Sequence, residues 1–165
     1  MLKGCGAGVP VIFNLASYPQ AIDELAGHHY REWEYLYPDD TIASFAADLS
    51  RPPGADTLPT TWVLTADKQV MGSVSLLEHD LDTDSHWSPW LANLWVHQDW
   101  RGRGLGKRLV LHACEQGVAA GFTTLYLYTA EHAAFYAGMG WQQLRSTHKN
   151  GVPITIMSFA LTRAA

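Results

Sequence analysis

The chain has 165 residues, 47% of them hydrophobic, enough for one well-packed domain and short for two. Its formal net charge of −5 argues against nucleic acid or an anionic membrane as the main partner. No segment reaches the ~20 apolar residues of a membrane span, the N-terminus has no long apolar stretch, and Cys5 and Cys114 form neither a disulfide framework nor a metal spacing, so a soluble cytoplasmic protein with free thiols is expected.

Val9 to Leu15 alternates loosely and predicts a first strand. Ser17 and Pro19 then offer a helix start for 21–35, with Ile22, Leu25, His29, Trp33 and Leu36 at helical spacing. Pro38 breaks that pattern, and Thr41 to Leu49 predicts a second helix before the stop at Arg51-Pro-Pro-Gly. Thr60 to Thr65 and Val70 to Leu77 are β-branched apolar runs joined by Ala-Asp-Lys-Gln, a hairpin pattern. After the polar, acidic stretch 78–89, Trp90 to Val96 predicts a fourth strand. A helix follows to about Ala120, stopped by Gly121, then a strand at Leu125 to Thr129 and a short helix at Glu131 to Met139. Trp141 to Thr147 and Ile154 to Leu161 make a last strand pair around Asn150-Gly151. The order β-α-α-β-β-β-α-β-α-β-β is an α+β plan: one domain over 1–165, a mixed, mostly antiparallel sheet flanked by helices, and one parallel crossover between strands four and five.

The most informative segment links that fourth strand to the next helix. Arg101-Gly-Arg-Gly-Leu-Gly-Lys107 is basic and glycine-rich, and the backbone N–H groups around Gly102, Gly104 and Gly106 can converge on an anion where the helix dipole adds its positive end. Rival phosphate loops fail on spacing. A mononucleotide loop needs glycine where Arg101 stands and Ser or Thr where Arg108 stands. A dinucleotide fingerprint needs glycine at Lys107 or Leu109. Read alone, the turn has one alternative, a surface strand-to-helix connection whose glycines serve only geometry.

The spacing Arg101-x-x-Gly104-x-Gly106 closely resembles the pyrophosphate signature of the GNAT superfamily of N-acetyltransferases, and the element order is that of the GNAT (acyl-CoA N-acyltransferase) fold. The resemblance covers roughly residues 9 to 162, its specific part lying in 90–108 and 123–141. It implies acetyl-CoA as cosubstrate, held by Arg101, Gly102, Arg103, Gly104, Leu105, Gly106 and Lys107, with the backbone of Leu94, Trp95 and Val96 along the pantetheine arm and a donor for the oxyanion of the thioester. Thr129 stands where relatives often carry a coenzyme-contacting asparagine. Tyr136, four residues ahead of Gly140-Trp141, matches the phenol that protonates the departing thiolate; a packing role beside Phe135 is the alternative. The base that ribosomal-protein acetyltransferases carry twelve residues before that tyrosine does not transfer, because Thr124 stands there.

An acceptor amine must first lose a proton, and at pH 7 only about one lysine side chain in a few thousand is neutral, against about a tenth of α-amino groups. Base or substrate-contact candidates are Glu34, Glu78, Asp80, Asp82 and Asp84, with His79 and His86 beside them; the four acidic residues from Glu78 to Asp84 would attract a cationic amine, or simply keep the chain soluble. Trp87 and Trp90 are candidates for the acceptor mouth or for packing. Asp80-x-Asp82-x-Asp84 suggests calcium, but Ser85 replaces the turn glycine and Leu91 the closing glutamate, and the eight histidines show no zinc spacing, so no metal is expected. The acceptor is left open between a small molecule and a protein N-terminus. A homodimer and a non-catalytic acyl-CoA-binding or sensing module also stay open.

Overall fold

The computed structural model describes residues 8–54, 57–82 and 86–162. Seven strands form one sheet in the order β1-β2-β3-β4-β5-β7-β6. They are β1 (Val11–Asn14), β2 (Thr60–Ala66), β3 (Gln69–Leu77), β4 (Trp90–Val96), β5 (Thr124–Thr129), β6 (Gln142–Lys149) and β7 (Val152–Ala160). All neighbours are antiparallel except β4 and β5, the expected parallel pair. Helices α1 (Ile22–Trp33), α2 (Ile42–Leu49), α3 (Leu105–Ala119) and α4 (Ala133–Gly138) complete the plan.

Alternation along β2 divides the core. Val63 packs with Leu15, Leu25, Val70 and Trp95 on the α1 face, whereas Trp62 and Leu64 pack with Leu109, Val110, Leu125, Leu127 and Tyr136 on the face covered by α3 and α4. The central strands therefore bury both faces, which explains why β2 and β3 read as nearly continuous apolar runs.

Local chemistry sets the element ends. The Asn14 side chain accepts the Ala16 N–H and opens a 3-10 turn, so β1 is shorter than the expected 9–15. Thr41 and Ser44 exchange side chain to backbone hydrogen bonds in a capping box that starts α2. Asp67 and Lys68 both have positive φ, 51° and 65°, the backbone of a two-residue hairpin turn matched to the strand twist. The Thr129 hydroxyl accepts the His132 N–H at 3.0 Å, holding the chain out of helical geometry, so α4 begins at Ala133 rather than Glu131. Cys114 on α3 is a free thiol, pushed up to about 11 by burial, while Cys5 lies outside the described residues.

Two features shape the middle of the sheet. Ser73 pairs with Trp95 and Ser75 with Ala92, so Val74 alone faces Asn93 and Leu94: β4 carries a bulge. Asn93 sits there at φ 55°, a left-handed conformation costing a non-glycine residue roughly 1–2 kcal/mol. Beyond the bulge, β4 and β5 share a single register pair, Trp90 with Tyr126.

Gly72 of β3 marks a close approach. A Cβ there would stand 2.8 Å from the Trp95 carbonyl oxygen and 2.9 Å from Leu109 Cδ1. Since the nearer atom is backbone, Gly72→Ala is expected to cost about 1–3 kcal/mol by forcing β3, β4 and α3 apart. Thermal melting reads this as a drop of ~2–4 °C per kcal/mol, and an unchanged midpoint would refute the close packing.

Candidate functional site

The glycine turn folds as an open loop that leads into α3. Gly102 and Gly104 have φ of 76° and 78°, so the chain reverses into α3 with Gly104 as an N-cap that offers no side chain. Arg108 N–H donates to Gly104, but the N–H groups of Gly104, Leu105, Gly106 and Lys107 donate to no other described residue. Gly106 has ordinary helical geometry; a Cβ there would lie 3.7 Å from Phe135 Cζ and 3.8 Å from Val96 Cγ2, so the α3 N-terminus, the end of β4 and α4 meet at this point. Arg101 folds back: its Nε donates to the Val96 carbonyl at 2.9 Å and its Nη2 to Glu32 at 2.7 Å. Arg103 lies over the Trp100 ring at 4.9 Å, while Lys107 stays exposed.

Tyr136, next to Phe135 on α4, is 6% exposed between the Phe135 and Trp141 rings. Burial alone raises its phenol pKa, so it holds its proton at neutral pH. Its hydroxyl has no hydrogen-bond partner among the described residues. Leu94 and Val96 turn towards the same apolar cluster, and Trp95 turns to the opposite face, where it stacks on His28 at 4.4 Å.

That opposite face holds a cavity of about 570 Å³, walled by α1, α2, the exit of β3, the bulge of β4 and the Tyr128 end of β5. Asp40, Asp48, Asp80 and Asp82 line it against one arginine, Arg51, and none of the four is in an ion pair among the described residues. Trp33, Tyr37, Phe45, Trp87 and Tyr128 supply its aromatic surface. The hydroxyls of Tyr37 and Tyr128 hydrogen-bond to each other. Lys149 of the β6–β7 hairpin lies over both rings, at 5.1 and 5.8 Å, and Asn150 ties that hairpin to the Leu36 carbonyl at 2.6 Å.

Charge regulation centres on Asp80. Burial pushes its carboxyl up to about 7, with Lys149 pulling the other way. Burial and the Asp80 charge together raise both Tyr37 and Tyr128, keeping the phenols neutral. His29, fully buried on α1, is lowered to about 3 by burial and then by His28, so it is neutral.

A sequence profile described as the Acetyltransferase (GNAT) family matches residues 22–141, most of the chain. The chain belongs to the GNAT acetyltransferase family. Solved structures agree on its fold. An aminoglycoside 6'-N-acetyltransferase complexed with coenzyme A superposes with TM-score 0.72 at 16% identity, covering 94% of this chain and 99% of that one. The Escherichia coli ribosomal-protein-S18-alanine N-acetyltransferase gives 0.66 at 19% identity, covering 95% and 97%. A Salmonella typhimurium protein solved with its cofactor acetyl-CoA gives 0.70 at 17% identity, covering 94% and 96%. No curated protein sequence matches the chain.

In this acetyltransferase-family chain, the structure brings residues singled out in the sequence together at two places. The turn 101–107, the end of β4 and α4 converge on one face, and Asp80 and Asp82 line the cavity on the other. Glu34, at the end of α1, and Glu78, 3.6 Å from His79, are exposed and do not line that cavity. Asp84 lies outside the described residues. The Thr129 hydroxyl is engaged by His132 N–H. Trp87 lines the cavity, whereas Trp90 is 1% exposed in the core and donates to the Trp87 carbonyl. Sequence reading missed His29, Asp40, Phe45, Asp48, Asn93 and Tyr128 as cavity residues. For Phe45 and Asp48 a signal existed, since with Leu49 they recur at three and four residues and mark one face of α2.

A raised Asp80 pKa has a definite stability consequence. The folded state prefers the protonated acid, so that stabilisation is complete below the unfolded value near 4 and is lost as pH rises through about 7. Asp80→Asn is therefore expected to melt higher than the parent at pH 8, with the difference shrinking towards pH 4. A difference independent of pH would contradict the buried position of the carboxyl.

Proposed function

We propose that this chain is an acetyl-CoA-dependent N-acetyltransferase that acetylates a cationic primary amine by direct attack in a ternary complex. One observation carries the reading: where β4 and β5 part, an amide-lined anion cradle and a proton-bearing phenol occupy one face, and a carboxylate-lined cavity occupies the other. The unpaired N–H groups of Gly104 to Lys107 fit a pyrophosphate, with Gly102, Arg103 and Lys107 around it. Arg101, engaged by Glu32 and Val96, braces the strand end beside that cradle. The backbone of Leu94, Trp95 and Val96 on the β5 side supplies hydrogen-bonding groups to the pantetheine arm and the thioester carbonyl. Acetyl-CoA supplies the activated acetyl group.

On the acceptor side, four carboxylates favour an ammonium in the cavity. Asp80, titrating near 7, takes the proton that frees the amine lone pair. The amine nitrogen bonds to the acetyl carbon, the carbon–sulfur bond breaks, and Tyr136 gives its proton to the sulfur. The second proton on the new amide nitrogen leaves through solvent and restores the phenol. The deep cavity with charged walls favours a small-molecule amine over a protein N-terminus.

The reading is tested by thiol release from acetyl-CoA across a panel of primary amines. Binding of acetyl-CoA with no turnover of any amine would leave the non-catalytic module as the function. Two variants test the donor side. Gly106→Val keeps its ordinary backbone geometry but places a branched side chain at the cradle, and calorimetry is expected to show acetyl-CoA affinity at least tenfold weaker, about 1.4 kcal/mol. Unaltered affinity in the folded variant would remove the pyrophosphate from this turn.

Tyr136→Phe deletes the proton donor and retains the ring packed against Trp141. Turnover is expected to fall by ~10²–10⁴ with acetyl-CoA affinity within a few-fold. Full turnover in this variant would make Tyr136 a packing residue and leave thiolate protonation to water.

A further inference from the structure

Beneath the β4 bulge lies a buried polar network. His29, Ser73 and Ser75 are completely buried, and Thr61 is nearly so. His29 Nε2 lies 2.8 Å from Ser73 Oγ, and Ser73 Oγ lies 2.7 Å from the Asn93 carbonyl oxygen. A carbonyl only accepts, so the Ser73 hydroxyl donates to it and its oxygen accepts from His29, which fixes the Nε2–H tautomer. The lowered pKa of His29 agrees with that neutral ring. From the other end, Asn93 Nδ2 donates to Ser75 Oγ at 3.0 Å, and Ser75 shares a 2.6 Å hydrogen bond with Thr61 Oγ1. Both ends of Asn93 are thus gripped, main-chain carbonyl by one arm and side chain by the other. Asn93 is also the residue held at φ 55° where the register shifts.

Stability does not explain this arrangement. Burying hydroxyls and an imidazole costs desolvation that an apolar set of similar shape would avoid. Three of the five residues, His29, Thr61 and Asn93, also line the cavity. We propose that His29, Ser73, Ser75 and Thr61 are positioning residues that hold Asn93 in its left-handed conformation, and so fix the bulge that presents the Leu94–Val96 backbone to the donor thioester. The last clause rests on the acetyltransferase reading given above. The network passes from α1 across β2 and β3 to β4, so the acceptor wall and the donor strand are set by one hydrogen-bonded unit.

The test uses glycine as a substitute for the network, since glycine adopts positive φ without help. Ser75→Ala is expected to lower kcat about tenfold with the acetyl-CoA KM within threefold, and Ser73→Ala to do the same. Adding Asn93→Gly to Ser75→Ala is expected to recover most of the lost kcat, whereas adding Asn93→Ala is not. A merely structural network would shift melting temperature, leave the kcat-to-KM split unmoved and show no selective rescue by glycine. Coenzyme A titration followed by amide NMR gives a readout independent of turnover. In the parent the Leu94 to Val96 amides are expected to move with those of Gly104 to Lys107. In Ser75→Ala the former responses shrink, and in the glycine double variant they return. Three results would overturn the proposal: equal responses in all variants, equal kcat in parent and Ser75→Ala, or a glycine double variant as impaired as the alanine one. A chain that binds coenzyme A with this pattern but turns over no amine sinks the enzyme reading alone. A chain that binds none sinks both.

Discussion

The parting of β4 and β5 is the constraint on which the rest of the molecule depends. A parallel pair needs a crossover, here α3, and that crossover places the glycine turn at the C-terminal end of β4, where a ligand can reach helix amides. Had the two strands zipped along their length, β4 would offer no free backbone edge, and the two faces of the sheet would be sealed from each other. The single Trp90–Tyr126 pair, reinforced by the Tyr126 N–H to Pro89 carbonyl bond at 3.0 Å, closes one end of the gap. The bulge at Asn93 keeps the rest from closing, because two residues opposite one on β3 bend β4 and increase its twist.

Electrostatics follow the same division. An acidic chain places Arg101, Arg103 and Lys107 around one turn, and Asp40, Asp48, Asp80 and Asp82 around a cavity on the other face. The turn and the cavity thereby carry charge of opposite sign on the two faces of the sheet. Arg51 and Lys149 are the exceptions, Arg51 in the cavity wall and Lys149 a cation above the Tyr37 and Tyr128 rings that also moderates Asp80. The position of Lys149 shows what the aromatic wall favours, since an ammonium over an aromatic face is attracted by the ring quadrupole. The exposed Arg101–Glu32 pair contributes little stability by itself, at most about 1 kcal/mol, but it joins the glycine turn to α1, the wall of the cavity.

Much of this was legible in the sequence, because regular elements are written in periodicity and the turn in spacing. Strand β4 matched to the residue, and α3 and the two hairpins fell within a few positions. Ends set by one side chain, such as Asn14 closing β1 and Thr129 delaying α4, carry no periodic signal. The acceptor side was legible only in part. Asp80 was visible among several acids, but what distinguishes it from Glu78, two residues away, is burial, a property of the packed chain. Asn93 was hidden for a related reason: nothing in Trp90-Leu-Ala-Asn-Leu-Trp-Val says that the pairing slips there. The serine pair Ser73 and Ser75 reads as ordinary strand alternation until the partners from α1, β2 and β4 arrive.

The local rules of folding are broken at several points, and a group of the breaks lies around the β4–β5 gap. Asn93 has positive φ, α3 starts without a side-chain cap, Asp80 is a buried carboxyl that resists ionisation, and His29, Ser73 and Ser75 are polar groups in the core. Each is locally unfavourable, and each borders the β4–β5 gap or one of the two faces it joins. Elsewhere the chain follows many of the rules, with apolar alternation along β2, a capping box on α2 and hairpin turns with positive φ. But Thr57 also has positive φ, α1 and α4 also lack a side-chain cap, and Trp100 Nε1 and His112 Nε2 are buried without a hydrogen-bond partner among the described residues. Local costs grouped at one place, with apolar clusters supplying the compensating stability, are expected where a site is built, because a scaffold selected for stability alone would relieve each feature separately. The grouping of Asn93, Asp80 and the His29–Ser73–Ser75 set around the gap is therefore an argument for the proposed site that does not use the glycine motif.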